Sequence, residues 1–455
     1  MDISGGLRME NELFEKAPVP RAYLKLALPV VFSMVLTVIY NMVDTFFIAR
    51  TGNTDLIAAV SLSAPLFTFM IGIGDIFGLG GCSVISRLFG EKRYEEGRAY
   101  SVFCYYGAII TGVIMAVLML VFRVPILRFL GADDHTMEYA LQYYSFLAVG
   151  APFIILSFSP NNILRTEGFS FDSMLGGIIG SCVNIVLDPI FISVFDWGAA
   201  GAAAATVLGY ICTDIYYTRA LICKPKYLSI NLKWIRKKIP AIWPILVIGI
   251  PAAVTNLTQS FGTALMNRAL LPYGNENIAA RGIAVKISSI AVMVMIGMAF
   301  GGQSLIGYNY GAKNHRRFRK IMKFAFGIES VIAVVLSLLI SFAAPVMMRF
   351  FVEDPVIIES GTKMLRIMQS SMLALAVVFV STVTFQATGK AMGALTLSIS
   401  RQGIIFAAVL AAGSALAGYE GVLWAQPISD VITAVMGAVI FARVLLPEIR
   451  TGVKE

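Results

Sequence analysis

Residues 24–49 read LKLALPVVFSMVLTVIYNMVDTFFIA, an apolar run broken near its end by one carboxylate, Asp44. About 20 apolar residues suffice for a helix to cross the hydrocarbon core of a bilayer. An acid at such a depth costs about 3 kcal/mol or more. A helix that only anchored a protein would have no use for it, so Asp44 is read as a group that meets a cation or a proton.

The rest of the chain has the same character. Of 455 residues, 58% are hydrophobic and 14% are charged, which excludes a soluble globular protein of this size and predicts an all-α, polytopic membrane protein. The net charge of +9 does not imply nucleic acid. Most Lys and Arg fall in short segments between apolar runs, where the orientation of membrane loops accounts for them. Cys82, Cys104, Cys182, Cys212 and Cys223 are scattered through apolar runs without CxxC spacing, and His135 and His315 fall in loops. No disulfide, zinc or haem centre is expected from them, and no cofactor. Residues 1–20 carry Asp2, Glu10, Glu12, Glu15 and two prolines, the wrong composition for a cleavable signal peptide, so the first span is expected to direct insertion.

Apolar runs lie near 24–49, 56–86, 99–122, 139–158, 171–195 and 198–222, and again near 241–267, 278–307, 324–343, 362–385, 392–417 and 421–442. They predict twelve transmembrane helices in two six-helix lobes, residues 1–223 and 241–455, joined by a basic cytoplasmic linker at 224–240. The bias of charge follows the positive-inside pattern if both termini are cytoplasmic. Arg87, Lys92, Arg93 and Arg98, then Lys224 to Lys238, then Lys313 to Lys323 fall on the inner side, whereas Asp133, Asp134, Glu276, Glu353 and Asp354 fall outside.

The lobes repeat with a period of about 220 residues, and six spans per repeat make the repeat parallel, about an axis near the membrane normal. Gly81-Cys82-Ser83-Val84-Ile85-Ser86 matches Gly302-Gln303-Ser304-Leu305-Ile306-Gly307, and Phe89-Gly90 matches Tyr310-Gly311. Pro29 pairs with Pro251, Arg165 to Gly168 with Gln386 to Gly389, and Gly201 to Ala205 with Gly421 to Ala425. Two such lobes leave a central cavity of the kind an alternating-access transporter needs. Pro29 and Pro251 each weaken the opening helix of a half and are candidate hinges.

Tyr40 and Asp44 are four apart, as are Asn184 and Asp188, so each pair shares a helical face. At about 1.5 Å per residue, Asp44, Asp188 and Thr206 all lie roughly 9–15 Å below the outer ends of their spans. Carboxylates, an amide, a hydroxyl and a phenol at one level suit either a sodium ion, on the oxygens of Asp44, Asn184, Asp188 and Thr206, or a shared proton. The alternative is that Asp188 only satisfies a neighbouring hydroxyl and Asp44 an outer vestibule. Asp75, among several glycines of the second span, either faces the cavity and attracts a cationic compound or pairs with a neighbour. Asn256 and Gln259 of the seventh span are further cavity candidates. Asp214, Asp430 and Glu329 are expected to be paired structurally.

With Tyr-Asn-x-x-Asp at 40–44, Gly-x-Ser-x-Ile-Ser-Arg at 81–87, Asn-x-x-x-Asp-Pro at 184–189 and Gly-Ala-Ala-x-Ala-Thr at 201–206, the chain resembles the multidrug and toxic compound extrusion (MATE) family over nearly its whole length, in the branch resembling DinF and MepA. The resemblance implies that Tyr40, Asp44, Asn184, Asp188 and Thr206 form the cation-coupling network. It implies H+ or Na+ as the coupling ion and efflux of organic, mainly cationic and amphipathic compounds by a lipid-embedded, multi-pass protein of the bacterial inner membrane. A monomer is expected. A second branch of the family uses acids of the seventh and tenth helices; here those helices offer Asn256, Gln259, Asn267, Gln369 and Ser370 and no interior carboxylate. A lipid-precursor flippase of the same superfamily is the alternative, against which twelve spans and acidic lobe residues argue. An intramembrane enzyme has only Gly72-Ile73-Gly74-Asp75, a GxGD match without a second acid motif.

Overall fold

Each of these apolar runs is helical in the computed structural model, which describes residues 12–50, 54–237 and 239–451. The first half contains α1 (Val19–Arg50), α2 (Thr54–Gly90), α3 (Tyr94–Val121), α4 (Met137–Ile163), α5 (Ser170–Pro189) and α6 (Gly198–Cys223). The second contains α7 (Trp243–Leu270), α8 (Asn275–Gly301), continued beyond Gly302 by Gln303–Gly311, and α9 (His315–Phe351). α10 is broken into Pro355–Gln369 and Met372–Ala387, which meet at 48°. The segment near Arg165, between the apolar runs 139–158 and 171–195, is a 3-10 turn, Leu164–Glu167, that prolongs α4.

The last apolar stretch, Ala391–Glu448, has 58 residues. As one helix it would be about 87 Å long, nearly three times the thickness of a bilayer core. Gly418 divides it: with φ 54° and ψ −128° it leaves the helical region, in a conformation that glycine adopts without steric cost. The chain reverses there, and a Cβ on Gly413 would lie 2.7 Å from the carbonyl oxygen of Gly421. Residues 391–417 therefore form α11, with a π-helical turn at Ser400–Ile404, and residues 419–451 form α12. Twelve crossings result, and an even number returns the chain to the side on which it began. Leu338, Phe342 and Val346 of α9 are exposed at helical spacing, a face suited to lipid.

The halves meet through helix pairs that mirror each other. α1 packs on α8, Val31 against Gly297 and Ala27 against Gly301; α7 packs on α2, Gly249 against Ile76 and Ala253 against Gly72. Glycine at these crossings lets backbones touch: a Cβ on Gly297 would lie 2.6 Å from Cα of Val31, and one on Gly249 2.5 Å from Cα of Ile76. Gly90 abuts the backbone of Tyr308, and Gly311 abuts that of Arg87. These are matching positions of the repeat, so the contact is reciprocal. Ser83 adds a hydrogen bond from its hydroxyl to the carbonyl of Gln386 at 2.5 Å.

All of these contacts lie on the half of the membrane nearer the termini. Beyond Val31 on α1, Thr37, Asn41 and Thr45 are exposed, and beyond Ala253 on α7, Gln259, Ser260 and Thr263 are exposed. The two halves thus diverge into a cleft that opens on the side away from the termini.

Two segments strap the closed side. Glu167 accepts the backbone N–H groups of Lys226, Tyr227 and Leu228 at 2.9, 2.8 and 2.5 Å, and Arg98 donates to the carbonyls of Tyr227 and Lys226. The basic linker is therefore docked on the first half. Leu13 and Phe14 are buried; Arg317 of the second half donates to both of their carbonyls, while Gly168 of the first half lies against their side chains. Residues 13 and 14 thus bridge both halves. Replacing Gly297 by Leu should wedge α1 from α8 on this side. Spin labels at exposed Lys25 and Lys320 should then report a larger separation than in the parent, and an unchanged distance distribution would mean that this crossing does not set the spacing.

Candidate cation and substrate sites

α5 and α6 approach closely because small residues face each other. A Cβ on Gly209 would lie 2.8 Å from the carbonyl oxygen of Gly180, and one on Gly201 2.8 Å from that of Phe191. This proximity lets Asn184 Nδ2 donate to Thr206 Oγ1 at 3.2 Å, while the Thr206 hydroxyl donates to the carbonyl of Ala202 at 3.1 Å. Tyr40 of α1 reaches the same hydroxyl. α1 is held beside α5, with Ser33 against Gly177, which turns the face carrying Tyr40 and Asp44 toward Asp188.

The carboxyl groups of Asp44 and Asp188 face each other, side chain to side chain. Asn184, Asp188 and Thr206 are buried. Asp44 Oδ1, Asn184 Oδ1 and both carboxylate oxygens of Asp188 receive no hydrogen bond from the described residues. Two carboxylates in contact have no donor between them unless one oxygen carries a proton, so this donor set fits a shared proton or a small hard cation. Asp188 ends the regular part of α5. Pro189 follows, which cannot donate to the carbonyl of Ile185, and then a π-helical turn, Ile190–Val194; such turns recur at functional sites. Tyr143 of α4 lies within electrostatic range of both carboxylates, and Tyr210 of α6 within range of Tyr40 and Tyr143. The sequence reading passed over both tyrosines. Tyr210 was accessible to it, since it lies four residues after Thr206 on the same face; Tyr143 carried no such signal.

Asp75 is paired across the lobes: Asn256 Nδ2 donates to Asp75 Oδ2 at 3.3 Å. Gln259 lies nearly one turn further along α7 and is exposed. Pro29 lies inside a continuous α1 and Pro251 inside a continuous α7. Each sits about where its helix leaves the opposite lobe, just before Val31 and Ala253. Of the three acids expected to be paired, Asp430 accepts from Arg401, Ser371 and Gln426, whereas the carboxylate oxygens of Asp214 and Glu329 have no hydrogen-bond partner among the described residues. Lys286, also passed over in the sequence, is exposed within α8.

The MatE family model matches the chain twice, over residues 29–190 and 251–412, once in each half. The chain is 31% identical over 427 residues to the multidrug export protein MepA of Staphylococcus aureus (strain MRSA252), covering 94% of each. It is 29% identical, with the same coverage, to the protein of that name from Staphylococcus saprophyticus. A solved structure described as the outward-facing conformation of a multidrug resistance MATE family transporter superposes with a TM-score of 0.90 at 26% identity, covering 97% of this chain and 98% of that one. A MATE crystal structure in the bent conformation gives 0.89 at the same identity and coverage. The chain, with its twofold-repeated helical bundle, belongs to the MatE family.

Proposed function

We propose that this protein is an efflux antiporter that exports organic, mainly cationic and amphipathic compounds in exchange for H+ or Na+ by alternating access. The observation that carries the reading is the Asp44–Asp188 carboxyl pair, with Asp188 buried, Asp44 half-buried and three of the four oxygens enclosed without a hydrogen-bond donor among the described residues, beside a cleft that opens to one side of the membrane. The names of the relatives, multidrug export proteins, support the export of varied drug-like compounds. The basic residues of the terminus side favour a cytoplasmic location for both termini in a bacterial cell membrane, and the cleft would then face outward.

In this mechanism the cation and the substrate each bind one conformation better than the other and shift the population by that difference. Binding of H+ or Na+ between Asp44 and Asp188 neutralises the pair and changes how the outer part of α1 packs on α5. Pro29, just below the last contact of α1 with α8, is the point at which this part bends. Asp75 and Asn256, joined across the floor of the cleft, separate when the lobes open to the other side, and together with Gln259 they line the substrate path.

Transport by purified protein in liposomes, with proton and sodium gradients imposed separately, tests the reading; uptake of a cationic dye driven by neither gradient would overturn it. Asp44→Asn and Asp188→Asn should each abolish gradient-driven efflux at normal expression, because each keeps the size of the side chain and removes its charge. Full efflux by both variants would rule out coupling at this pair. Thr206→Val leaves Asn184 Nδ2 without its acceptor, a loss of about 1–3 kcal/mol, and should lower the melting temperature and slow transport together; an unchanged melting temperature would show that this hydrogen bond adds nothing. Pro29→Ala should slow turnover while dye affinity stays near that of the parent. Equal turnover in parent and variant would assign Pro29 to static architecture.

A further inference from the structure

Lys286 lies in the middle of an apolar helix and is exposed. The ion pairs and side-chain hydrogen bonds among the described residues do not include its ammonium group. Arg281, the other cation of this part of α8, is by contrast bonded to Asn267 Oδ1 at 2.7 Å. A lone cation at this depth is costly unless it faces water or a partner.

The helix register says which way Lys286 faces. Gly297 and Gly301 carry the contact of α8 with α1. Lys286 precedes Gly297 by eleven residues, about three full turns, so it lies within about 20° of the same direction and about 16 Å further from the terminus side. Ile290, between them on this face, is exposed, and a Cβ on Gly282, one turn beyond Lys286, would meet nothing within 4 Å. The face that seals the lobes near the termini therefore lines the open cleft at Lys286. On α1 the same climb of eleven residues from Val31 leads to Met42, flanked by exposed Asn41 and Thr45. Lys286 thus stands level with the Asp44 site, across the cleft from the polar stripe of α1.

We propose that Lys286 is a substrate-recognition residue that receives an acidic group, so that the cleft takes amphipathic compounds bearing a carboxylate or similar acid beside their cationic body. This deepens the efflux reading and rests on it. A purely cationic compound gains nothing from an ammonium group in the wall, whereas an acid gains a charge-assisted hydrogen bond. With the coupling carboxylates in the first lobe and Lys286 in the second, the cleft is bipolar and suits zwitterions.

A matched pair of probes isolates the effect: one rhodamine dye as its free carboxylic acid and as its ethyl ester, which share the cationic ring system. Proteoliposomes holding the parent, Lys286→Met or Lys286→Arg are loaded in parallel, with folding checked by melting temperature. Lys286→Met should cut transport of the acid by about 10-fold or more and leave the ester within about twofold, while Lys286→Arg keeps most transport of the acid. The proposal is overturned if both dyes fall equally, which makes the residue structural. It is also overturned if neither falls, which places the ammonium at the membrane surface rather than in the cleft, or if the parent carries the ester and refuses the acid. A parent that carries neither dye would instead remove the efflux reading, and this inference with it.

Discussion

Two carboxyl groups held against each other inside a lipid-embedded bundle need a proton or a cation between them, because burial removes the water that would otherwise screen their charges. The first lobe is arranged around this requirement. Asp44 and Asp188 come from helices nearly 150 residues apart in sequence, and they meet because α5 packs closely on α6 and α1 on α5 through Gly177, Gly180 and Gly209. Larger residues at those crossings would keep the carboxyls apart. Asn184 and Thr206 spend their hydrogen bond on each other, which orients the amide oxygen and leaves it, with the carboxylates, as an acceptor.

A second constraint governs how the lobes join. In lipid, helices gain little from hydrophobic burial against one another and associate through close backbone packing. The glycines of α2, α7 and α8 supply it on the terminus side, in two matching sets related by the repeat. The same symmetry gives the contact a hinge-like character: it is tight along the terminus-side half of each helix, while residues such as Asn41, Thr45, Ser260 and Thr263 further along are exposed. The docked linker and the buried Leu13–Phe14 segment reinforce that closed side. A conformational change that opened it would have to part the glycine crossings and release the Leu13–Phe14 segment from one of the two halves it touches, Arg317 on one side or Gly168 on the other.

Much of this was legible in the residues. Apolar runs of bilayer length determined the helices, because lipid forces every backbone group into intrahelical hydrogen bonds; the gap between the runs 392–417 and 421–442 separated the last two, and the structure adds that Gly418 makes the reversal there. Matching motifs 221 residues apart revealed the repeat. The i, i+4 spacing of Tyr40 with Asp44 and of Asn184 with Asp188, combined with the fixed rise of a helix, was enough to set them at one depth.

Depth along a helix follows from counting; the direction in which a side chain points relative to another helix does not. Only the tertiary structure decided that Asp75 pairs with Asn256, 181 positions away, that Asp430 is paired while Asp214 is not, and that Tyr143 joins the carboxyl cluster. Lys286 belongs to the same class. Its sequence shows a lysine in an apolar helix, and the cleft beside it exists only because the lobes touch along half their length. The sequence by itself determined the spans, the repeat and the level of the acids, since these rest on local backbone physics. The pairing of charges and the open side of the cleft were decided by contacts between distant segments, which no local rule constrains.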